Sequence, residues 1–373
     1  MIVRKSFQFR LRLTKKQDRT LRGILGECRW LYNELLEQRK LAYEELDISL
    51  SKYQQTMFLP LLKEERPSLA QVHSQVLQNI VDRLDKAFQA FFRRCKAGEK
   101  PGFPRFRGVH RYNSFCYPQS GFSLIGNELK LSKLGTIRVK MHRPLEGEVK
   151  TCTLRRTASG DWNVIFSCEV HVEPRAPKEE AVGVDVGLEH FATFSNGQQI
   201  TNPRFFKNGE KVLAKAQRKL AKLKKGTPKR RKQGRVVAKV HERISNQRKD
   251  FCHKESKKII DQYQYICVED LNIKKMVEGS YFAKSIADAS WNQFLQFLTY
   301  KAAEAGRKLG LVNPAYTTQD CYRCGHREKK QLSEREHRCS QCGYMASRDF
   351  NAAQNILALG LDGLGAIPRS PRL

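Results

Sequence analysis

Three carboxylates in this sequence have the type and setting needed for metal-dependent chemistry. Asp185 lies inside the apolar run GVDVG, Glu269 ends the apolar run ICVE, and Asp349 opens the helical pattern RDFNAAQNIL. An acid within a buried strand is costly unless it is paired or binds a cation. We predict that the three side chains converge and hold divalent ions such as Mg²⁺, which prefers carboxylate oxygens. Two such ions can activate a water and stabilise the leaving oxygen in phosphodiester hydrolysis.

Each carboxylate also has a simpler interpretation that involves no metal. Asp349 could be an acid near the positive end of a helix dipole. Glu269 and Asp270 could cap the start of a helix, because Leu271 and Asn272 follow them. Asp185 is the hardest to explain in this way, since strand core lies on both sides of it.

Four cysteines form two Cys-x-x-Cys pairs with 14 residues between them, namely Cys321, Cys324, Cys339 and Cys342. A glycine follows each pair, which allows the backbone to turn its N–H groups towards sulfur. The spacing is slightly short but fits a zinc ribbon in which four thiolates bind one Zn²⁺. We interpret His326 and His337 as polar surface residues, because no cysteine needs replacing. The other seven cysteines show no ligand spacing and are predicted to be mostly small core residues.

The charge of the chain points to a polyanionic partner. It carries 69 Lys/Arg and 38 Asp/Glu among 373 residues, a formal net charge of +31, which disfavours an ordinary enzyme of small metabolites. Residues 201–260 alone hold 21 Lys/Arg and 4 Asp/Glu. This stretch reads as two helices broken near residues 225–228. It could be a solvated face, but the scarcity of acids favours contact with nucleic acid phosphates, and the candidate side chains are Lys222, Lys224, Lys225, Arg230 and Arg231.

A second basic stretch, residues 91–115, interleaves arginines with aromatic side chains. Guanidinium groups bind phosphates, and aromatic faces can stack on unpaired bases. We predict phosphate contact for Arg105 and Arg107. The phenylalanines could equally stack on bases or pack on a neighbouring domain.

The remaining patterns predict the elements that position these residues. A period-2 strand covers 3–13, helices cover 15–47 and 69–95, and short strands follow from 113 to 172. This order suggests a small β-barrel interrupted by a helical insertion. After a Pro-containing linker a second domain begins, with strands around Asp185, the basic helices, the strand of Glu269, a helix over 286–309 and a last helix over 347–359.

The sequence shows no apolar run of the roughly 20 residues that cross a bilayer and no pattern of a signal peptide. We therefore expect no membrane partner and a cytoplasmic protein. The expected state of the cysteines is reduced or metal-bound.

Taken together, the chain resembles TnpB, the family of transposon-encoded RNA-guided nucleases related to type V CRISPR effectors. The resemblance runs from about residue 6 to 359. It rests on GVDVGLEHFATFSNG, HERISNQRKDFCHKESKKII, CVEDLNIKKMV, CYRCG…CSQCG and RDFNAAQNIL, with GECRWLYNELLEQR and GFPRFR at the front. One departure is Ser347, where the family often has an aspartate.

The resemblance implies an α/β multidomain protein with an RNase H-like, RuvC-type nuclease domain. Asp185, Glu269 and Asp349 would be its catalytic, metal-binding residues. The implied domains are a wedge β-barrel (1–13 and 113–176), a helical recognition lobe (14–112), the nuclease (177–315 and 346–360), a zinc ribbon (316–345) and a disordered tail (361–373).

The resemblance also implies the partners and cofactors: a guide RNA from the transposon end, target double-stranded DNA with a short adjacent motif, two Mg²⁺ and one Zn²⁺. A monomer on one RNA is expected, in the cytoplasm of a prokaryote and associated with the nucleoid when active. Base pairing would read most of the target, and the protein would read the motif. Candidate base readers on one helix are Ser74, Gln75 and Gln78, since Gln can pair with adenine edges; they could equally be plain surface residues.

Two other functions stay open at this point. A guided DNA-binding repressor would need no carboxylate triad, and a strand-transfer transposase could use the same fold. The resemblance favours an RNA-guided DNA endonuclease that cleaves by two-metal hydrolysis.

Overall fold

The computed structural model describes residues 1–278, 280–331 and 333–365. The chain divides into two compact units, Met1–His171 and Val172–Leu373. Each unit contains one larger β-sheet with helices, and the carboxylates and cysteines of interest all belong to the second unit.

The first unit is built on a seven-stranded antiparallel sheet in the order β2-β6-β7-β1-β5-β4-β3. The first strand of the chain therefore lies in the middle of the sheet, with β7 and β5 as its neighbours. Its strands are β1 (Ile2–Arg12), β2 (Ser114–Tyr117), β3 (Phe122–Ile125), β4 (Glu128–Leu131), β5 (Gly135–Lys140), β6 (Glu148–Arg156) and β7 (Trp162–His171).

The sheet of the first unit buries one face of its strands. Along β7, alternate residues from Trp162 to Val170 are buried, as a period-2 pattern requires. The sequence predicted a small barrel here. The observed sheet is open: no ladder joins β2 to β3 among the residues described, so its shape is that of a half-barrel.

The helical insertion of the first unit lies between β1 and β2. Its helices are α1 (Lys15–Leu46), α2 (Lys52–Met57), α3 (Leu59–Glu65) and α4 (Ser74–Lys96), with a 3₁₀ turn at Pro67–Gln71 before α4. The predicted helix over 69–95 thus begins later, because Val72 and His73 are extended. Arg39 of α1 ties these helices together, since its guanidinium donates to Gln55 and to Asp85.

The second unit contains a five-stranded mixed sheet in the order β10-β9-β8-β11-β12. Strands β8 to β10 are antiparallel neighbours, whereas β11 is parallel to both β8 and β12. These strands are β8 (Ala181–Asp185), β9 (His190–Phe194), β10 (Gln199–Thr201), β11 (Tyr265–Glu269) and β12 (Lys308–Val312). A two-stranded hairpin, β13 (Glu336–Arg338) and β14 (Met345–Ser347), follows.

Six helices in the described residues complete the second unit: α5 (Phe205–Ala221), α6 (Pro228–Gln262), α7 (Ile273–Val277), α8 (Ala283–Ala289), α9 (Trp291–Ala305) and α10 (Arg348–Gly363). The predicted break between the basic helices is present. The helix predicted over 286–309 is instead two helices separated by Ser290, whose φ is 59°, and Lys308 already belongs to β12. The last helix continues to Gly363, which corrects the expectation of a disordered tail from 361. Residues 366–373 lie outside the described part of the chain.

Candidate active site and zinc site

Asp185 and Glu269 are neighbours at one edge of the mixed sheet. Strands β8 and β11 run parallel, and their last paired residues are Val184 and Val268. Each carboxylate is the next residue of its strand, so both emerge at the carboxyl edge. The preceding valines are fully or almost fully buried, which fixes the register because a slip by one residue would turn every side chain over.

Asp349 reaches the same edge from α10, the helix that lies across β8 and β11. The close approach of this helix depends on two glycines: a Cβ at Gly183 would overlap the carbonyl oxygen of Ala353, and one at Gly360 would overlap the sulfur of Cys267. A Cβ at Gly187, two residues after Asp185, would lie 3.8 Å from Oδ2 of Asp349. The packing of α10 thus places its first turn beside the end of β8.

At this edge two buried acids lie near a third, Asp349, which is partly exposed. Asp185 is 8% exposed and Glu269 is 9% exposed. Burial raises the pKa of Asp185 well above its usual range, and the charges of Glu269 and Asp349 raise it further. Burial also raises the pKa of Glu269, against the effect of a hydrogen bond from Thr317. Mutual repulsion of this kind is what a bound cation offsets.

Three buried polar side chains beside the carboxylates were not found by sequence reasoning. The hydroxyl of Thr317 donates to Oε1 of Glu269 over 2.6 Å. On α10, Asn355 donates to the carbonyls of Thr317 and Asp320, and Asn351 also donates to the Asp320 carbonyl. Asn351 and Asn355 are spaced i, i+4 on the helix that opens with Asp349, and this spacing could have indicated both asparagines from the sequence.

The four predicted cysteines lie together. Their sulfur atoms are all within 4.8 Å of one another, with 3.7 Å between Cys321 and Cys342 and 3.4 Å between Cys324 and Cys339. Sulfurs placed tetrahedrally about 2.3 Å from a zinc ion would be separated by about 3.8 Å. The cluster therefore fits a zinc site.

Both cysteine pairs have the backbone turn expected of them. Gly325 and Gly343 have φ values of 78° and 70°, a region that favours glycine. Their N–H groups donate to the carbonyls of Cys321 and Cys339, respectively. The turns thus fold each pair back on itself and bring its two sulfurs to one side.

His337 is not the surface residue that the sequence suggested. Its side chain is fully buried, and its Nδ1 contacts the ammonium of Lys330. Burial lowers the pKa of His337 and also that of Lys330. His326 is only partly buried and contacts Ser340. In the ribbon's small interior, His337 takes the place of an apolar core residue.

The basic helices form a hairpin whose candidate residues fall into two groups. Lys222, Lys224, Lys225 and Arg231 are exposed. Arg230 is half-buried, and its Nη1 donates to the carbonyls of Leu220 and Leu223 over 2.7 and 2.6 Å. These bonds satisfy carbonyls at the end of α5, so Arg230 stabilises the turn of the hairpin.

A buried acid anchors the other end of the hairpin. Asp288 of α8 accepts from the backbone N–H groups of Phe206 and Lys207, at the start of α5. It also pairs with Arg248 of α6 at 2.7 Å. Asp288 therefore holds the start of α5 against the middle of α6, and the buried side chain of Gln233 on α6 donates to the carbonyl of Ala216 on α5 between the two ends of the hairpin.

In the first unit, the stretch around Arg105 and Arg107 belongs to no helix or strand, and both arginines are exposed. The backbone of Arg107 exchanges two hydrogen bonds with the side-chain amide of Asn33, and its guanidinium lies over the ring of Tyr32 at 5.4 Å. Phe103 packs against Phe88 and Phe91 edge to face. Phe103 thus packs on α4 but is still 48% exposed, and the Arg105 side chain is also exposed.

The three candidate base readers lie on the first turns of α4 but differ in whether their side chains already form hydrogen bonds. Gln75 accepts from the N–H of Ser120 over 2.8 Å, and the hydroxyl of Ser74 accepts from Lys63 over 3.4 Å. Gln78 is exposed, and no hydrogen bond of its side chain is observed in the described residues. Gln75 is thus engaged within the first unit.

Within the described residues, no helix combines the length and apolar composition needed to cross a membrane.

Protein-family profiles match three segments of the chain. Residues 165–279 match the OrfB_IS605 profile described as "Probable transposase", and residues 291–356 match "Cas12f1-like, TNB domain". Residues 1–47 match the OrfB_IS605 "Helix-turn-helix domain", although the structure there consists of β1 and the single long helix α1. The second profile covers α9, the cysteine cluster and Asp349.

Relatives match along most of the chain. A Streptomyces pristinaespiralis protein named "Putative RNA-guided DNA endonuclease" is 33% identical over 96% of this chain and 90% of its own length. "Putative RNA-guided DNA endonuclease InsQ" of Escherichia coli (strain K12) is 31% identical over 95% and 92%. "CRISPR-associated endodeoxyribonuclease Cas12f1" of Sulfoacidibacillus thermotolerans is 31% identical over 68% and 67%.

Solved structures share the fold at low sequence identity. The Cas12f1 chain of a Cas12f1–sgRNA–target DNA complex matches with a TM-score of 0.61 and 14% identity, over 92% of this chain and 83% of that one. The mini-RNA-guided endonuclease CRISPR-Cas_phi3 matches with a TM-score of 0.51 and 11% identity, over 99% and 94%. The chain therefore has the mixed α/β fold of Cas12 effectors.

Proposed function

The chain belongs to the TnpB family, the OrfB proteins of IS605-type transposons, and on that premise we propose that it is an RNA-guided DNA endonuclease. It would cleave double-stranded DNA beside a short adjacent motif. Its relatives named as RNA-guided DNA endonucleases align over nearly their whole length, which supports the same activity here.

The observation that carries the proposal is the convergence of three acids at one sheet edge. A protein that only bound DNA would have no need to bury Asp185 and Glu269 side by side, since each buried carboxylate costs free energy. Sites that are strained in this way are commonly kept for function. We therefore assign Asp185, Glu269 and Asp349 to the catalytic site of a RuvC-type, RNase H-like nuclease.

The carboxylates fit divalent metal because they supply hard oxygen ligands, and because the charges of Glu269 and Asp349 act unfavourably on the buried Asp185. Asp185, Glu269 and Asp349 would hold two Mg²⁺, which when bound activate a water and stabilise the leaving oxygen of a phosphodiester. The chain contributes the placement: the parallel register of β8 and β11 sets two carboxylates side by side, and α10 sets the third. Arg348 beside Asp349, with 3.5 Å between Nε and Oδ1, offsets part of the charge.

The zinc site would be structural. Four thiolates complete the coordination of Zn²⁺ and leave no open position for a substrate. We propose that the ribbon of residues 316–345 folds around this ion and orients the start of α10. Its described interior is small, and His337 and two of the four cysteines are among its fully or nearly fully buried side chains.

The nucleic acid partners follow from charge. A guide RNA from the transposon end and the target DNA would contact the exposed side chains of the basic hairpin, Lys222, Lys224, Lys225 and Arg231, and also Arg105 and Arg107. Gln78 and Ser74 would read the adjacent motif; Gln75 would take part only if its bond to Ser120 opened. The domain limits given above, with the end of the nuclease moved from 360 to Gly363, complete the proposal, together with a monomer on one RNA and action at the nucleoid.

Expression of the chain together with the DNA that flanks its gene tests this function. The purified protein should retain one RNA species through salt washes, and sequencing should place that RNA at the transposon end. With Mg²⁺ it should cut a plasmid that carries the matching target. Retained RNA with target bound but uncut would indicate the repressor, and joined strands would indicate the transposase.

A further inference from the structure

The strongest observation outside the assigned residues is the contact of Thr317 with Glu269. Thr317 lies in the segment between β12 and the first cysteine pair, and this residue is 2% exposed. Its hydroxyl oxygen is 2.6 Å from Oε1 of Glu269 and 3.2 Å from the carbonyl oxygen of Pro314. A hydroxyl has one proton, and the shorter distance to the charged acceptor assigns it to Glu269.

The backbone that carries this hydroxyl is itself held by α10. Asn355 donates to the carbonyl of Thr317 over 2.9 Å and to that of Asp320 over 2.7 Å. Asn351, one turn earlier, donates to Asp320 and accepts from the N–H of Tyr322. Both amides are on α10, the helix that carries Asp349. A continuous run of hydrogen bonds thus leads from α10 through the 317–322 segment to Glu269.

From this geometry we infer that Thr317 is a positioning residue for metal binding at the carboxylate edge. Its hydrogen bond restricts the rotation of the Glu269 carboxylate and leaves Oε2 and the remaining lone pair of Oε1 available to a metal ion. Partners of this kind orient metal ligands and affect affinity strongly when they are removed. The inference rests on the proposed metal site and adds a residue that sets its affinity.

Direct metal binding separates positioning from catalysis. Thr317→Val keeps the shape of the side chain but removes the hydroxyl, and Thr317→Ser keeps the hydroxyl. Thr318→Val is the matched control, because no hydrogen bond of the Thr318 hydroxyl is observed in the described part of the chain. Mn²⁺ would be titrated into the zinc-loaded full chain and followed by electron paramagnetic resonance, with Asp185→Ala as the blank.

Thr317→Val should raise the Mn²⁺ dissociation constant about 10-fold, at the low end of the roughly 10–100-fold range for such partners. The Mg²⁺ concentration for half-maximal cleavage should rise in parallel, with guide RNA affinity unchanged. Thr317→Ser should recover most of the affinity, and Thr318→Val should bind as the wild type does. Zinc content and a circular dichroism melt check folding, and Thr317→Ala replaces the valine variant if that one unfolds.

Unchanged Mn²⁺ affinity in a folded Thr317→Val or Thr317→Ala variant overturns the inference. An equal weakening in Thr317→Ser overturns it too, because the hydroxyl would then not be the cause, and so does a wild-type chain that binds no Mn²⁺. If Thr317→Val weakens Mn²⁺ binding while the wild type cuts no guided DNA, the positioning role stands and the proposed endonuclease activity fails.

Discussion

The carboxylate edge and the basic hairpin place charged groups in opposite ways. At the carboxylate edge, Asp185 and Glu269 are buried and held by strand register and by a helix in close contact. On the hairpin of α5 and α6, the basic side chains are mostly exposed, and the contacts of Arg230, Gln233 and Asp288 hold the backbone of the helices rather than the exposed lysines. The first arrangement sets positions, whereas the second sets a density of charge.

This difference separates chemistry from binding. A reacting group must be held within a fraction of an ångström, so its surroundings are packed and a single change is expected to be severe. Phosphate contacts are additive and salt-dependent, so a single lysine on the hairpin is expected to matter little. Variants in the two regions should therefore differ in size of effect and also in which step they impair.

Asp185→Asn should have the largest effect. It preserves shape but removes a ligand charge, so guided plasmid cleavage should fall by about 1,000-fold or more, because the metal ions no longer stabilise both reacting oxygens. Guide RNA and target binding should change less than about 2-fold, in keeping with the separation of chemistry from binding. Single-turnover cleavage and filter binding measure the two steps.

The matched control is Glu179→Gln, which changes an exposed acid of the same unit. Cleavage by Asp185→Asn at the rate of this control would contradict the assignment of the carboxylate edge.

Much of the carboxylate edge could be predicted from sequence because its signals are local. An acid inside GVDVG or at the end of ICVE conflicts with its apolar neighbours, and that conflict is visible without a structure. The spacing of the cysteine pairs is likewise visible in the sequence. Closure of the first unit's sheet could not be predicted in this way: its two edge strands, β2 and β3, are consecutive in sequence, yet no ladder joins them among the described residues, so the predicted barrel was observed as an open sheet.

Other features could not be predicted because they depend on what lies opposite a side chain. Nothing in the sequence distinguishes Arg230, which binds carbonyls of the hairpin turn, from the exposed Arg231 beside it. Thr317 reads as an ordinary loop residue until Glu269 is seen next to it. His337 reads as polar surface, yet it fills the interior of the ribbon.

Removal of zinc should give the next largest effect. Like a change at the carboxylate edge, and unlike a change on the hairpin, it should impair cleavage more than RNA binding. Cys324→Ser should remove the metal, whose binding supplies on the order of 10 kcal/mol or more of folding free energy in small zinc modules. Asn351 joins the ribbon's first cysteine pair to α10 through Tyr322. Cleavage should therefore fall about 100-fold while RNA binding changes little, because catalysis depends on exact placement of the acid on α10. Metal analysis and cleavage rates test this.

Cys95→Ser, which changes an exposed cysteine outside the ribbon, is the control. A zinc-free Cys324→Ser protein with full cleavage would show that the ribbon does not position α10, and one whose RNA binding failed first would place the ribbon with the binding surface.

A smaller effect is expected from the hairpin. Replacement of Lys222, Lys224, Lys225 and Arg231 by Gln should weaken nucleic acid binding and reduce the log–log salt slope by about 0.7–0.9 for each phosphate that is no longer neutralised. The maximal cleavage rate at saturating RNA and target should stay within about 3-fold, because the carboxylates that carry the chemistry are untouched. Fluorescence anisotropy at several salt concentrations gives the slope.

Arg230→Gln is the matched comparison, since this residue lies in the same basic run but binds carbonyls of Leu220 and Leu223. It should lower the melting temperature and leave the slope nearly unchanged. An unchanged slope in the fourfold variant would mean that the run is only a solvated surface.

The smallest effect concerns the folding stability of the chain. In the absence of metal, replacing the buried Asp185 should raise the melting temperature rather than lower it. Burial, with Glu269 and Asp349 nearby, raises the pKa of Asp185 in the folded chain. The folded chain therefore binds this proton more tightly than the unfolded chain, in which an aspartate has a pKa of about 3.9. Folding stability therefore falls as pH rises from that value to the raised pKa, and above it the full cost of the buried charge remains.

Asp185→Asn removes this cost. In metal-free buffer its melting temperature should equal that of the wild type near pH 4 and exceed it increasingly towards neutral pH, by about 2–4 °C for each kcal/mol relieved. Added Mg²⁺ should shrink the difference, because it stabilises only the chain that keeps its ligand. Scanning calorimetry across pH measures the trend, and a lower melting temperature for Asp185→Asn at neutral pH without metal would show that the buried acid stabilises the fold and is not strained by its neighbours.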